Sequence, residues 1–184
     1  MYENYIFDLY GTLVDINTNE EKRRLWEKLA LFYGYNGAAY KPKELKRAYL
    51  KEVEEGLVNN TKTKYPDIDI RLVFKKLYND KGVDCSKVLI AETTKLFRCL
   101  SVNYIKLYAG VRDLLENLKA KGKKIYMLSN GQRSFTVPEL KYLGIYDYFD
   151  GLYSSSDIGI CKPDPAFFQY LINEQQIDIS KSVF

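Results

Sequence analysis

Histidine is absent from all 184 residues of this chain. Its absence excludes the serine and cysteine hydrolases that depend on a histidine base, and it excludes metalloproteases that bind zinc through an HExxH helix. An enzyme built on this sequence must therefore work with carboxylates, lysine, hydroxyl groups, backbone amides or a metal ion.

Cysteine is scarce, and its spacing does not favour metal binding. Cys85, Cys99 and Cys161 form an odd, widely spaced set without a C-x-x-C pair. Neither a disulfide framework nor a zinc site is expected from such a set. The first residues carry charge where an export signal would be apolar, so the sequence predicts a reducing, cytoplasmic location.

Long hydrophobic runs and concentrated charge are also missing. The apolar runs are far shorter than the roughly 20 residues that a membrane-spanning helix requires, so no membrane partner is expected. The net charge of +4 is spread along the chain. Without a focused basic face, nucleic-acid binding is not expected either. The 46% hydrophobic and 28% charged residues are typical of a folded globular protein.

Short apolar runs separated by helical patterns predict an α/β fold. Strands are predicted at Asn4–Phe7, at 124–128 and at Gly151–Ser154, and a fourth strand begins near Lys181. Helical periodicity accompanies these strands after Gly110. Alternation of this kind predicts a doubly wound parallel sheet, which is a Rossmann-like core.

A helical insert interrupts this alternation between the first and second strands. From 20 to 102 the sequence has helical periodicity broken by glycines, proline and a polar loop, which predicts four consecutive helices. We therefore expect a core domain made of residues 1–16 and 104–184, and a four-helix cap domain made of residues 17–103.

Polar residues follow three of the predicted strands. Asp8 follows the first strand, Ser129 and Asn130 follow the second, and Lys162 lies a short loop after the third. Taken singly, each is more typical of a turn, a helix cap or a solvated loop than of a functional site. Because the carboxyl ends of parallel strands meet at one edge of a sheet, the residues should converge. They suit a carboxylate nucleophile that attacks a phosphoryl group or a similar electrophile.

Three segments resemble the motifs of haloacid-dehalogenase-superfamily hydrolases. The sequence FDLYGTLVD at 7–15 is similar to the first motif, hhhDxxGTLxD; LSN at 128–130 is similar to the second, and CKPDP at 161–165 to the third. The helical insert resembles the cap that subfamily I members carry between motifs one and two. The resemblance covers nearly the whole chain.

The resemblance implies a role for each matching residue. Asp8 would form a covalent aspartyl ester, Ser129 and nearby amides would bind the transferred group, and Lys162 would neutralise charge. Thr12 would brace the loop. In the magnesium-dependent members, Asp8 and the backbone carbonyl of Tyr10 would be ligands of Mg²⁺. The predicted site residues are Asp8, Tyr10, Thr12, Ser129, Asn130 and Lys162.

Tyr10 departs from the pattern of the superfamily's phosphatases, which mostly have an Asp there as general acid and base. The ordinary pKa of tyrosine is about 10, so it does not replace that Asp easily near neutral pH. Tyr10 and the sequence SNG at 129–131 instead resemble 2-haloacid dehalogenases, which need no metal. Those enzymes rely on an arginine beside a tryptophan early in the cap. Here Trp26 is followed by Glu27, whose charge would repel a carboxylate substrate.

The acidic fourth motif of the superfamily, expected directly after Phe184, is not within the 184 residues. It completes the Mg²⁺ site in phosphatases and positions the attacking water in dehalogenases. The sequence therefore supports the hypothesis that this chain is a fragment of a longer protein. It also predicts an open edge on the first strand, which would favour a homo-oligomer.

Three interpretations remain open from the sequence. The frequency of phosphatases in the superfamily favours Mg²⁺-dependent hydrolysis of a small phosphomonoester. The first alternative is a 2-haloacid dehalogenase, and the second is a catalytically inactive fragment or binding remnant. In the enzymatic interpretations the partner is a small-molecule substrate, which the sequence does not identify.

Overall fold

A computed structural model describes residues 2–184, so Met1 of the predicted core lies outside the described residues. The strands are β1 (Asn4–Phe7), β2 (Val14–Thr18), β3 (Val102–Leu107), β4 (Lys124–Ser129), β5 (Gly151–Ser154) and β6 (Ser182–Val183). The helices are α1 (Arg23–Tyr35), α2 (Pro42–Asn59), α3 (Ile70–Asn79), α4 (Lys87–Ser101), α5 (Val111–Ala120), α6 (Arg133–Tyr142) and α7 (Pro165–Gln175).

Four of the strands form a parallel sheet in the order β5-β4-β1-β6. β1 lies inside the sheet, with Phe7 beside Met127 of β4 and Tyr5 beside Val183 of β6. The parallel sheet predicted from the sequence is confirmed. β6 covers part of the edge of β1 that was expected to be open. The inner position of β1 brings the residue after it, Asp8, to the carboxyl edge of the sheet.

Helices cover both faces of the sheet because β4 buries side chains on both. Ile125 and Met127 belong to a buried cluster with residues of α5 and α6, whereas Tyr126 and Leu128 pack with residues of α7. Strands buried on both faces read as continuous apolar runs, which explains why β4 was recognisable from sequence.

Helices α1–α4 pack around an aromatic core that Phe135 of α6 also joins. Tyr33, Phe74 and Phe97 are fully buried there, and the rings of Tyr33 and Tyr78 stack with their centroids 4.1 Å apart. Such ring pairs add about 0.5–1.5 kcal/mol beyond the burial of their area. Among the described residues, every helix is too short or too polar to cross a lipid bilayer.

Two short strands that were not predicted connect these helices to the sheet. β2 and β3 pair antiparallel, with Ile16 opposite Ile105. Helical periodicity had been extended to Val102, where α4 gives way to β3. The predicted domain boundaries, after residues 16 and 103, fall inside these two strands. The division into core and cap domains stays a prediction.

α6 is continuous from Arg133 to Tyr142 although a proline lies in its second turn. Pro138 lies inside this helix and has no amide hydrogen to donate to the preceding turn. The flanking side chains Phe135 and Leu140 are buried. Their packing offsets the lost hydrogen bond and keeps the helix intact on both sides of the proline.

Candidate active site

The loop after β1 turns tightly and holds Asp8 at the edge of the sheet. The carbonyl oxygen of Leu9 accepts hydrogen bonds from the amides of Leu13 and Val14, both at 2.9 Å. Gly11 makes this turn possible because its φ is +79°, a backbone conformation that is strained for any residue with a side chain. The Thr12 hydroxyl donates to Asp8 Oδ2 at 3.4 Å, in the bracing position that the resemblance implied.

Lys162 is directly bound to Asp8. Its Nζ donates to Asp8 Oδ1 and to the carbonyl oxygen of Leu128, each at 2.7 Å. The Asp8 side chain keeps 29% of its surface exposed, and that of Lys162 keeps 16%. The carboxylate is therefore accessible to a small molecule, while the ammonium is held in place beside it.

Asn130 fixes the backbone from which Lys162 projects. Its side-chain Nδ2 donates to the carbonyl oxygen of Lys162 at 3.0 Å, and its Oδ1 accepts from the Lys162 amide at 2.7 Å. Ser129 is buried at the end of β4, beside Ser154 in the register of the sheet. The structure thus brings Asp8, Thr12 and Lys162 into contact, and it joins Asn130 to the backbone of Lys162.

The hydroxyl of Tyr10 does not contact Asp8 or Lys162 but belongs to a hydrogen-bonded network with Glu139 and Arg98. It donates to Glu139 Oε2 at 2.5 Å, and the other oxygen of Glu139 accepts from Arg98 Nε at 2.5 Å. Burial, followed by the negative charge of Glu139, raises the pKa of Tyr10 far above its ordinary value. The phenol therefore stays protonated near neutral pH and is not suited to act as a general acid or base.

Sequence reasoning missed Glu139 and Arg98. The buried positions of α6 are Phe135, Thr136, Glu139 and Leu140, so Glu139 lies one helical turn after a core phenylalanine. A carboxylate at a core position of an amphipathic helix implies a buried partner. That signal was present in the sequence, but it could not identify Arg98, whose contact depends on how α4 packs against α6.

The segment between α2 and α3 lies against the loops after β4 and β5. Asp67 accepts hydrogen bonds from the Ser155 hydroxyl at 2.5 Å and from Gln132 Nε2 at 3.2 Å. The Cys161 amide donates to the carbonyl oxygen of Tyr65 at 2.8 Å. Burial raises the pKa of Asp67, although the hydrogen bond from Ser155 opposes this. Residues beside Asn130 and Lys162 are thus tied to the helical part of the chain.

A Mg²⁺ site of the kind the resemblance implied is not completed by the described residues. Within 2–184 no three or more His, Cys, Asp or Glu side chains are grouped to hold a metal ion. Asp8 and the Tyr10 carbonyl are two of the oxygen ligands that Mg²⁺ would use. Two oxygen ligands do not form a Mg²⁺ site, so the donor set of the described residues does not fit the ion.

The parallel sheet, the helical insert after β1 and the Asp8–Lys162 pair at the carboxyl edge define a Rossmann-like hydrolase. The chain belongs to the haloacid dehalogenase-like hydrolase family, whose model matches residues 2–184. The resemblance deduced from the three motifs is confirmed.

Relatives with two different activities are similar to this chain. (S)-2-haloacid dehalogenase 2 of Pseudomonas sp. (strain CBS-3) is 24% identical over 184 residues, which covers 97% of this chain and 72% of that protein. Phosphoglycolate phosphatase of Thiobacillus denitrificans is 30% identical over 99 residues, covering 52% of this chain and 44% of that protein. The matched segment therefore covers less than half of the phosphatase.

Solved structures share the fold. L-2-haloacid dehalogenase from Xanthobacter autotrophicus superposes with a TM-score of 0.51 at 18% identity, covering 99% of this chain and 68% of that one. A HAD phosphatase from Thermococcus onnurineus gives a TM-score of 0.53 at 19% identity, covering 99% and 75%. At these identities the likeness concerns the fold alone.

Proposed function

We propose that this hydrolase uses Asp8 as a nucleophile to displace halide from a small 2-haloacid. The observation that carries the proposal is the state of Tyr10, two residues after Asp8. Its hydroxyl is engaged by Glu139, and burial together with that carboxylate raises its pKa far above the ordinary value. At the position where a phosphatase would keep a general acid, this chain therefore has a residue that is not suited to donate a proton.

The leaving group decides what such a site can do. An alkoxide leaving from a phosphate ester is a strong base, and a general acid that protonates it accelerates the reaction by about 10²–10⁴-fold. A halide leaves as a stable anion and needs no proton. A site with a nucleophilic carboxylate and no acid beside it is thus suited to displacing halide from carbon.

The proposed reaction has two steps. A carboxylate oxygen of Asp8 attacks C2 of the haloacid, and the carbon–halogen bond breaks with its electron pair on the departing halide. Water then attacks the carbonyl carbon of the aspartyl ester, which releases the 2-hydroxy acid and one proton and restores Asp8. Lys162, bound to Asp8 at 2.7 Å, reduces the repulsion between the carboxylate and an anionic substrate.

Two further observations support this chemistry. The similarity to (S)-2-haloacid dehalogenase 2 extends over 97% of the chain. Glu27, whose charge was expected to repel a carboxylate substrate, forms an exposed ion pair with Arg23 at 2.6 Å on the surface of α1. That pairing partly balances its charge. We also propose that residues 17–103 act as a cap that excludes water from the site.

Mg²⁺-dependent hydrolysis of a phosphomonoester is the second candidate. It is favoured by the 30% identity to phosphoglycolate phosphatase over 99 residues. Asp8, Ser129 and Lys162 would serve either reaction, because both begin with attack by a carboxylate on an electrophile. The two candidates differ in leaving group and in metal dependence.

The identity of the released product distinguishes the dehalogenase from the phosphatase. The chain would be incubated with 2-chloropropionate, phosphoglycolate and p-nitrophenyl phosphate, each with Mg²⁺ or with EDTA, and chloride and phosphate would be measured. Chloride release that survives EDTA and disappears in Asp8→Asn supports the proposal. Phosphate release that requires Mg²⁺, without chloride release, would replace it with the second candidate.

A further inference from the structure

A single buried carboxylate joins three parts of the molecule that are distant in sequence. Glu139 of α6 is 8% exposed. One of its oxygens accepts from the Tyr10 hydroxyl in the loop after β1, and the other accepts from Arg98 of α4, both at 2.5 Å. Glu139 therefore links the loop that carries Asp8 to a helix of the proposed cap.

Tyr10, Glu139 and Arg98 are enclosed by protein, so water cannot readily replace any of the three as a hydrogen-bond partner. In the ion pair, the side chains of Arg98 and Glu139 are only 14% and 11% exposed. The guanidinium carbon of Arg98 also lies 4.8 Å from the ring centroid of Phe135 and 5.6 Å from that of Tyr10. Charge-assisted hydrogen bonds are strong when water is excluded. If Arg98 or Glu139 lost its partner, the other would be a buried, unpaired charge, which is strongly unfavourable. The network is fully satisfied only when α4 is seated on α6.

The ring of Tyr10 transmits this constraint to two loops of the site. Tyr10 stands two residues after Asp8. A Cβ added to Gly131 would meet Cε2 of the Tyr10 ring at 3.3 Å, so the ring lies directly against the loop that begins at Asn130. Displacement of the ring would therefore disturb the turn that orients Asp8 and the loop whose Asn130 holds Lys162.

We propose that Glu139 is a positioning residue that orients Asp8 through Tyr10, and that Arg98 makes this orientation depend on the seating of α4. The inference rests on the proposed nucleophilic role of Asp8. When α4 leaves α6, Glu139 loses Arg98, Tyr10 loses its fixed acceptor, and the loop after β1 relaxes. The network thus orients Asp8 for attack only while α4 is seated on α6.

The kinetic test uses Tyr10→Phe, Glu139→Gln and Arg98→Met. Formation of the Asp8 ester with 2-chloropropionate is expected to slow by about 10²-fold in each, a loss typical of a misplaced reacting group. The substrate concentration at half-saturation changes much less. The double variant Tyr10→Phe/Glu139→Gln is no slower than Glu139→Gln, because both changes break one chain of contacts. Tyr10→Phe keeps the wild-type shape of the pH–rate profile, since Tyr10 transfers no proton.

A matched control is available on the surface. The Tyr148 hydroxyl donates to Glu116 Oε1 at 2.8 Å, which is the same kind of bond between exposed groups. Tyr148→Phe and Glu116→Gln should leave the rate at the wild-type value. Equal rates for Tyr10→Phe and the wild-type chain, or losses that multiply in the double variant, would overturn the proposed positioning role.

Amide hydrogen exchange tests the network without any turnover. Arg98→Met is expected to speed exchange in residues 9–14 as well as in α4, while thermal unfolding confirms that the variant is folded. Tyr10→Phe serves as the milder variant, because it removes one hydroxyl and leaves the Arg98–Glu139 pair. Faster exchange confined to α4 in Arg98→Met would contradict the coupling. If the wild-type chain forms no ester, the proposed function fails, and the exchange result still decides whether the network couples α4 to the loop.

Discussion

The ammonium group of Lys162 is 2.7 Å from a carboxylate oxygen of Asp8, although the two residues are separated by 154 positions in sequence. Asp8 follows β1 and Lys162 comes after β5, and the same ammonium also binds the carbonyl oxygen of Leu128 in β4. Parallel strands that end at one edge of the sheet create this meeting point. The pair is the electrostatic centre of the candidate site.

Replacing Lys162 with methionine should slow formation of the Asp8 ester by about 10²–10³-fold, which is the loss typical when one stabilising donor is removed from a site. The change keeps most of the side chain's volume and removes its charge. Lys106→Met is the control, since Lys106 pairs with Asp15 at 3.3 Å on an exposed surface. A Lys162→Met chain that reacts at the wild-type rate would show that the ammonium has no part in the reaction.

Asp150 should stabilise the fold in a pH-dependent way. Burial opposes its ionisation, but hydrogen bonds from the Ile125 amide and from Lys119 and Lys124 outweigh it and lower the pKa of Asp150. A lowered folded-state pKa contributes stability above the unfolded-state value of about 4, and that stability is lost as the pH falls through the folded-state pKa.

Asp150→Asn should therefore reduce the free energy of unfolding by about 1.5–3 kcal/mol at pH 7. The difference from the wild-type chain should shrink steadily as the pH falls below about 4. Urea unfolding followed by circular dichroism at several pH values measures it. A deficit that stays constant down to the lowest pH at which the fold survives would refute the assignment.

Phe97 should be a central stabilising residue of the helical part. It is fully buried, and its ring lies 5.2 Å from the rings of both Tyr49 and Phe74, centroid to centroid. Phe97→Ala should lower the free energy of unfolding by about 3–5 kcal/mol because it leaves a cavity. Leu72→Ala, at a residue that is 65% exposed, should change it by less than about 0.5 kcal/mol. Similar small losses in both variants would mean that Phe97 is not packed as described.

The convergence of Asp8, Asn130 and Lys162 could be predicted because it follows from local patterns and one topological rule. Each residue lies after a short apolar run, and parallel strands bring such positions together. The strands of the parallel sheet were predicted because buried strands form short apolar runs, and the four helices of the insert were predicted because their apolar residues repeat with the helical period.

The Tyr10–Glu139–Arg98 network and the β2–β3 pair could not be predicted in this way. Arg98 meets Glu139 only because α4 packs on α6, a tertiary relationship without a signature in either helix alone. β3 follows α4 without a break, since Ser101 ends the helix and Val102 begins the strand. The helical periodicity of α4 therefore gave no indication that a strand begins at Val102.

In the proposed reaction, Asp8 attacks a carbon bearing a halide and becomes an ester. Intact-protein mass spectrometry after brief mixing with 2-chloropropionate, followed by peptide mapping, tests it most directly, because the first step requires no activated water. With EDTA present, we expect a mass increase equal to one propionate substituent, localised to Asp8 and absent from Asp8→Asn. A folded wild-type chain that stays unmodified, or that is modified equally in Asp8→Asn, would contradict it.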